Sequence, residues 1–466
     1  MSSELIWLSA VELLEGYGNG EFSPVEVTQA VLDRIDDKGE ALNAFSLVDG
    51  ERALAEAKAS EARWRKAEPQ GRVDGVPTVV KDLILTEGWP TMRGSRTTDP
   101  DQPWNEDAPS VARMREHGAV FIGKTTTPEF GWKGVTDNTL TGITRNPWDL
   151  SKTPGGSSGG SSAAVAAGMS PLSYGTDGGG SIRIPAGFAG IYGIKPSFGR
   201  VPAYPMSPFG TVAHVGPMTR TVEDSALMLT VMAEPDARDW HALPFEGADY
   251  TKGLADGIEG RKIAYSPALG YAEVDPEIAD LVATAVASLE ALGAHVEEVD
   301  PGFDDPMPIF RTIWWAGATY LLGELPDEKK ALLDPGLAAV VEEGAKLSLR
   351  DFVDANQARG ALGAHMRQFM EGYDFLVTPT LPIPAFDAGV LSPVDDTLGK
   401  WTNWTPFSFP FNLTQQPAAS VPCGFTKAGL PAGLHIVGRM FEDASVLKAS
   451  YAYEQAHEWM KARPEF

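Results

Sequence analysis

The chain has 466 residues, of which 43% are hydrophobic and 22% are charged, and its formal net charge is −25. This composition is ordinary for a globular protein with a core large enough to exclude water from a site. The negative charge argues against nucleic acid as a partner, because that affinity rests on lysine and arginine neutralising phosphates. It also disfavours anionic membranes and strongly anionic substrates, although a local basic patch can escape an overall count.

The single cysteine, Cys423, excludes an intramolecular disulfide and a cysteine-based metal cluster. None of the seven histidines has a partner at metal-ligand spacing, so no metal is expected. No stretch is long and apolar enough to cross a membrane, and the first residues lack the regions of a signal peptide. We therefore expect a cytoplasmic protein that is not attached to a membrane.

The beginning of the chain is predicted to be helical. Ser23, Pro24 and Glu26 give a helix start with a serine cap, a proline at the first position and a capping box. Apolar residues then recur at helical spacing. A second helix, rich in alanine and charge, is predicted over residues 52–65. At the other end of the chain, a last helix is predicted over residues 443–461.

Residues 76–83 are predicted to form a buried strand that carries Lys81. A lysine acts as a base only when it is neutral, and burial in apolar surroundings favours the neutral form. The alternative is a charged surface lysine that pairs with Asp82 at the end of the strand.

Residues 118–125 match the phosphate-loop pattern GxxxxGK[ST]. Such a loop must follow a strand and open a helix. Here the predicted order is reversed, since a helix over residues 110–117 ends at Gly118 and a strand leads into Lys124. We therefore expect no nucleotide site.

Residues 155–186 contain two clusters of small residues, GGSSGG and TDGGGS, around an apolar segment typical of a closely packed helix. Acyl transfer needs a nucleophile, a base and N–H donors that face the developing oxyanion. Consecutive glycines let backbone N–H groups turn toward one point, and the second cluster ends in Ser181. Ser181 is therefore a candidate nucleophile, while a Gly/Ser linker or a capped turn would use the same residue types.

This stretch resembles the signature motif of the amidase signature family. The segment around Lys81 is similar to that family's G-[IV]-P-x-x-x-K-D segment, and weaker similarity continues to residue 438. The positions of the long pattern that match are Gly155, Gly156, Ser157, Gly160, Gly175, Asp177, Gly179, Ser181, Ile182, Arg183 and Pro185.

The resemblance implies a Ser–Ser–Lys triad formed by Lys81, Ser157 and Ser181. Neutral Lys81 would accept a proton from Ser157, which would accept one from Ser181, and Ser181 would form an acyl-enzyme. The peptide before Ser157 is expected to be cis. The oxyanion hole is expected to consist of the N–H groups of Gly178, Gly179, Gly180 and Ser181.

Four further residues of the motif are expected to support the triad without reacting: Ser158, Thr176, Asp177 and Arg183. Asp177 and Arg183 are predicted to form a pair that braces the loop. No metal ligand is assigned to any of them.

A segment upstream of the motif holds candidate substrate-binding residues. By position, Phe130, Gly131 and Trp132 resemble the family's substrate-lining segment, and a packed loop under the sheet is the alternative. Residues 303–410 contain two further aromatic clusters and are predicted to determine specificity through an apolar or aromatic pocket. Aromatic residues also fill cores and interfaces, which is the alternative for each of them.

The resemblance covers nearly the whole chain and implies one α/β domain over residues 1–466, with a catalytic core over 81–220. Its fold is a mixed central β-sheet covered by helices on both faces. The expected function is hydrolysis of a small-molecule carboxylic amide without a cofactor, by a monomer or homodimer. Aryl amides, carbamates and oligoamides are all candidate substrates. The alternatives are the A subunit of a tRNA-dependent amidotransferase, releasing ammonia from glutamine, and a non-catalytic binding protein on an amidase scaffold.

Overall fold

The structure is a computed structural model that describes residues 2–394 and 401–466. These residues contain thirteen strands. Their bounds are β1 (Phe45–Val48), β2 (Pro77–Lys81), β3 (Val120–Thr125), β4 (Asp137–Asn138), β5 (Gly142–Ile143), β6 (Leu172–Asp177), β7 (Tyr192–Lys195), β8 (His214–Thr219), β9 (Lys262–Tyr265), β10 (His295–Glu298), β11 (Phe375–Pro379), β12 (Ala418–Phe425) and β13 (Pro431–Gly438).

The same residues contain fifteen α-helices and several short 3-10 turns. The α-helices are α1 (Ser2–Leu5), α2 (Ala10–Asn19), α3 (Pro24–Leu42), α4 (Gly50–Trp64), α5 (Pro109–Glu116), α6 (Gly159–Ala166), α7 (Arg183–Ala189), α8 (Val222–Met232), α9 (Pro276–Ala291), α10 (Met307–Leu322), α11 (Asp327–Lys330), α12 (Pro335–Gly344), α13 (Leu349–Phe369), α14 (Pro410–Leu413) and α15 (Asp443–Ala456). In the described ranges, no helix combines the length and the apolar character that a bilayer crossing requires.

Eleven of the described strands form one mixed sheet in the order β1-β3-β2-β6-β8-β7-β12-β13-β11-β9-β10. Strand β2 pairs in parallel with β3 and with β6, and β9 pairs in parallel with β10 and β11. The other neighbours are antiparallel. The parallel pairing of β2 and β6 matters for the site, because parallel strands end at the same edge of a sheet.

Helices cover both faces of this sheet, as side-chain alternation along the strands requires. In β2, Val80 packs into the core cluster formed with α2, α5, α8, α9 and α15, whereas Val79 faces the cluster formed with α3, α4 and α6. In β13, Ile436 joins the first cluster, and Val437 faces a cluster formed with α10, α12 and α13. The predicted mixed α/β fold is confirmed.

Several local predictions agree with the structure. The Ser23 hydroxyl accepts a hydrogen bond from the Glu26 N–H, and the Glu26 carboxylate accepts one from the Ser23 N–H, so the capping box is present. The helix–glycine–strand order before Lys124 is also present. Lys124 lies in β3, fully buried, and its Nζ donates to the Ile84 carbonyl at 2.6 Å.

The last helix is shorter than expected. The sequence predicts a helix over residues 443–461, but α15 ends at Ala456, and a 3-10 turn follows at Trp459–Lys461. His457 leaves the helical conformation and stacks on Tyr453 with ring centroids 4.4 Å apart. The Trp459 indole N–H donates to the Arg220 carbonyl, so a tertiary contact replaces the final helical turns.

Candidate active site

Lys81 is the last residue of β2, and Thr176 lies near the end of the parallel strand β6. The strand pairing therefore brings both side chains to one edge of the sheet. Lys81 Nζ lies 2.8 Å from each of three hydroxyl oxygens, those of Ser157, Ser158 and Thr176. Two residues expected only as support, Ser158 and Thr176, thus contact the lysine amine directly.

The Lys81 side chain is fully buried, and this burial lowers the pKa of Lys81 well below its usual value of 10.5. The negative charge of Asp177 opposes the shift but does not cancel it. Among the described residues, no carboxylate lies within 4 Å of the amine. A buried amine surrounded by neutral hydroxyls favours the uncharged form.

Of the two predicted reactive serines, Ser157 contacts this lysine, and Ser181 lies in the wall of the same cavity as Ser157. The Gly156–Ser157 peptide bond is cis, as expected. Ser157 and Ser181 are 2% and 4% exposed, and both contribute to the wall of a cavity. The Ser158 N–H donates to the Ser181 carbonyl at 3.3 Å, which ties the two serine loops together.

Asp177 and Arg183 form a buried ion pair behind the Ser181 loop. Arg183 Nε lies 2.9 Å from Asp177 Oδ2, and Nη2 lies 3.0 Å from Oδ1. Burial alone would raise the pKa of Asp177, but the Arg183 guanidinium outweighs burial and holds this pKa well below its usual range. The Asp177 carboxylate also accepts the N–H of Ile182 and so fixes the loop from both ends.

One of the four expected oxyanion donors is wrong. The Gly180 N–H donates to Asp177 Oδ1 at 2.7 Å, so it serves the loop brace rather than the reaction centre. Gly180 has φ +127°, a conformation that glycine tolerates and that turns its N–H away from those of its neighbours. The N–H groups of Gly178, Gly179 and Ser181 remain as candidate donors.

Three distant residues complete the brace, and no sequence pattern pointed to them. Arg183 Nη1 donates to the Ser408 carbonyl at 2.9 Å and contacts His435 Nε2 at 3.1 Å, while Nη2 donates to Asn412 Oδ1 at 2.7 Å. The Ser408 hydroxyl donates to the Gly179 carbonyl at 2.7 Å. A buried arginine signals that partners exist, but its sequence position cannot say which segment supplies them.

A cavity of about 490 Å³ opens beside Ser157, Thr176, Gly178 and Ser181. Residues 202–210 form a long part of its wall. The wall as a whole is largely apolar and includes the side chains of Leu83, Leu85, Phe130, Phe209, Trp314 and Leu321.

The structure separates the three expected substrate-binding residues. Phe130 and Gly131 lie in the cavity wall, but Trp132 does not. The Trp132 indole is 1% exposed and packs in the core beside Gly336, because the 3-10 turn Glu129–Gly131 directs successive residues to different sides. The prediction for Trp132 is therefore wrong. Gly131 has φ +71°, and a Cβ atom there would lie 3.2 Å from Ser157 Oγ.

The predicted specificity region, 303–410, supplies little of the cavity wall. Trp314 and Leu321 of α10 belong to the wall, whereas the aromatic residues at its end are core residues with at most 2% exposure: Trp401, Trp404, Phe407 and Phe409. Residues 198, 202–210, 213–215, 239 and 241 contribute instead. Residues 395–400 of the region lie outside the described residues.

Comparison with known proteins bears on the family to which the chain belongs. The sequence model of the Amidase family matches residues 26–447. An acylamidase from Rhodococcus erythropolis is 36% identical over 99% of this chain and 98% of its own length. The A subunit of the glutamyl-tRNA(Gln) amidotransferase from Moorella thermoacetica is 36% identical over 99% of both chains.

Among solved structures, a bacterial aryl acylamidase of the amidase signature enzymes superposes with a TM-score of 0.90 at 33% identity. The superposition covers 98% of this chain and 97% of the aryl acylamidase. The family resemblance predicted from the sequence is confirmed. The chain belongs to the Amidase family as an amidase signature enzyme, and its reaction class is amide hydrolysis.

Proposed function

We propose that the chain hydrolyses a carboxylic amide through an acyl-enzyme, with Ser181 as nucleophile, Ser157 as proton relay and Lys81 as base. One observation carries this proposal. The Lys81 amine is fully buried, lies 2.8 Å from the Ser157 hydroxyl and has its pKa lowered well below 10.5 by burial. Such an amine can accept a proton at neutral pH.

The three hydroxyl contacts of Lys81 can be made by a neutral amine as well as by an ammonium. An uncharged amine has two hydrogens and one lone pair, so it donates to two hydroxyls and accepts from a third. Ser158 is suited to accept from the amine, because its own hydroxyl donates to the Thr176 carbonyl at 3.3 Å. In the proposed neutral form the Ser157 hydroxyl donates to the lone pair, the reverse of the bond that an ammonium would donate to Ser157 Oγ, and this is the direction that proton transfer requires.

The proposed reaction begins when Ser181 Oγ attacks the amide carbonyl and its proton passes through Ser157 to Lys81. The N–H groups of Gly178, Gly179 and Ser181 stabilise the negative oxygen of the tetrahedral intermediate. The same proton returns to the leaving amine, and the C–N bond breaks to give the acyl-enzyme. Water then attacks the ester carbonyl and releases the acid.

The cavity supports an apolar substrate. Its wall is largely apolar, and Phe209 stacks on Trp314 with ring centroids 3.8 Å apart, so two aromatic planes border the space. A volume of about 490 Å³ suits a small organic amide. The acylamidase and aryl acylamidase that resemble this chain make an acyl amide, aryl amides included, the substrate class to test first.

Release of ammonia from glutamine for a partner chain is the second candidate function. It is supported by the 36% identity to the A subunit of an amidotransferase, which equals the identity to the acylamidase. The largely apolar cavity wall favours hydrolysis of an apolar amide over this candidate.

The proposal is tested with a panel of anilides, aliphatic amides and carbamates, and with glutamine as a separate substrate. Ser181→Ala and Lys81→Met should each lower kcat on the best amide by roughly 10⁴-fold or more. Ser162→Ala is the matched control, because Ser162 is a buried serine of α6 whose hydroxyl donates to the Gly159 carbonyl. Activity above a tenth of wild type in Ser181→Ala, or vigorous glutaminase activity, would refute the proposal.

A cytoplasmic location and a monomeric or homodimeric state belong to the same proposal. The single cysteine fits a reducing compartment, where disulfides are not used. Light scattering on the purified chain measures the assembly, and obligate co-purification with a second, different chain would favour the amidotransferase candidate.

A further inference from the structure

Arg93 belongs to the cavity wall and lies next to the segment that borders Ser157. The Phe130 N–H donates to the Arg93 carbonyl at 2.8 Å, so Arg93 adjoins the segment that carries Gly131. Gly131 in turn lies against the Ser157 hydroxyl. Arg93 is therefore one backbone contact away from the segment that borders the reacting hydroxyls.

The Arg93 guanidinium makes few hydrogen bonds to the described residues. A guanidinium has five N–H donors, yet the bond from Nη1 to the Thr91 carbonyl is long, at 3.4 Å. Among the described residues, no carboxylate lies within 4 Å of it. Arg183, by contrast, places its donors on four different partners.

The carboxylate that influences the pKa of Arg93 most, Asp82, forms no ion pair with it among the described residues. Partial burial lowers the pKa of Arg93, and the negative charge of Asp82 opposes this shift. Asp82 Oδ1 accepts the Met92 N–H at 3.1 Å and lies 3.8 Å from Lys124 Nζ. Asp82 Oδ2 has no hydrogen-bond partner among the described residues, yet Asp82 forms no ion pair with Arg93 within 4 Å, so the Arg93 donors remain available to another group.

The backbone holds Arg93 in an unusual conformation. Its φ is +57°, in the left-handed region, which costs a side-chain-bearing residue about 1 kcal/mol. The Arg93 N–H donates to the Asp82 carbonyl at 3.0 Å, so both sides of the residue are fixed by neighbouring segments. The side chain is therefore carried on a rigid part of the wall.

We propose that Arg93 forms a carboxylate subsite, so that the preferred substrate is an amide that also carries a carboxylate on an otherwise apolar body. This proposal rests on the proposed amide hydrolysis. Apolar neighbours in the wall, such as Leu83 and Phe130, strengthen a charge-assisted hydrogen bond because they exclude water. Asp239, a carboxylate in the same wall, already accepts the N–H groups of Ala203 and His241.

Two matched substrate pairs test the subsite. The 4-nitroanilides of succinate and butyrate differ by a carboxylate on the acyl side, and N-acetyl-4-aminobenzoate and acetanilide differ on the amine side. Wild type should favour the charged member of at least one pair in kcat/KM by about tenfold or more. Arg93→Met should lower that preference by roughly 10- to 100-fold, the usual effect of a hydrogen bond to a charged group. Arg93→Lys should restore part of it.

Arg96→Met is the matched control, because Arg96 is an exposed arginine three residues further on and does not belong to the cavity wall. It should keep the wild-type preference. The proposal is overturned if Arg93→Met keeps the wild-type ratio or if wild type favours the neutral member of both pairs.

Binding separates this subsite from the proposed reaction. The four compounds are titrated calorimetrically into Ser181→Ala, with and without Arg93→Met. If no compound is hydrolysed by wild type but the charged ones bind more tightly through Arg93, the reaction fails and the subsite stands. Equal affinity of charged and neutral compounds in Ser181→Ala refutes the subsite, whatever the catalytic result.

Discussion

Replacing Lys81 by methionine tests whether the buried amine is neutral in the folded protein. Burial lowers the pKa of Lys81 well below 10.5, while the unfolded chain keeps the ordinary value. Between these two pKa values, the unfolded state binds one more proton than the folded state. The free energy of unfolding of wild type must therefore rise with pH in this window, by about 1.4 kcal/mol per pH unit. Lys81→Met lacks this group and lacks this contribution.

The assay is urea unfolding of both proteins at intervals from pH 6 to pH 9. The difference in unfolding free energy, wild type minus Lys81→Met, should increase with pH through the part of this range that lies above the lowered pKa. Lys133→Met serves as the control, because Lys133 pairs with Asp137 at 2.6 Å and Asp334 at 3.0 Å, which outweigh burial and raise its pKa. The difference in unfolding free energy between wild type and Lys133→Met should not change with pH over this range. If the difference between wild type and Lys81→Met also does not change with pH, Lys81 is protonated in the folded protein. That result would refute Lys81 as the base.

Three further predictions concern the Asp177–Arg183 brace, the turn at Gly131 beside Ser157, and the core. Asp177→Asn leaves a buried guanidinium unpaired and should lower the free energy of unfolding by roughly 3–5 kcal/mol in urea, so a loss below 1 kcal/mol contradicts the brace. Gly131→Ala should lower kcat at least tenfold, because its methyl group would lie 3.2 Å from the Ser157 hydroxyl oxygen. Gly247→Ala is the control, because Gly247 also has a positive φ, +67°, but none of the described atoms lies within 4 Å of the added methyl group. This control should keep wild-type kcat. Trp404→Leu should cost roughly 2 kcal/mol or more in stability without changing relative kcat/KM across acyl groups, and Phe209→Leu should change those ratios.

The sequence predicted the fold class and the contact between Lys81 and Ser157, because a long motif fixes many positions at once. The cis bond before Ser157 and the Asp177–Arg183 pair also came from that motif. Such a pattern carries three-dimensional information that composition and periodicity alone do not.

The error at Gly180 has a local cause. Three consecutive glycines predict N–H groups that converge, but they do not indicate which acceptor the N–H groups face. The Asp177 carboxylate, three residues earlier, takes the Gly180 N–H at 2.7 Å. Only the orientation of that side chain, set by Arg183 and by Asn412 from a distant segment, decides which donors face the substrate.

The cavity wall was hard to predict because core and pocket use the same aromatic residue types. Trp132 and Trp404 are 1% exposed core residues, while Trp314 borders the cavity. The sequence cannot distinguish these cases, since burial by neighbouring helices is a tertiary property. The segment 202–210 has no regular periodicity, and Arg93 stands alone in a turn. The sequence therefore did not predict that either one lines the cavity.

The identity of the nucleophile is tested most directly by intact-mass measurement after treatment with a fluorophosphonate. Wild type and Ser181→Ala are treated in parallel, with Ser162→Ala as the control. We expect one adduct on wild type and on Ser162→Ala, and none on Ser181→Ala. An adduct on Ser181→Ala, or the absence of any adduct on wild type, would contradict an activated Ser181.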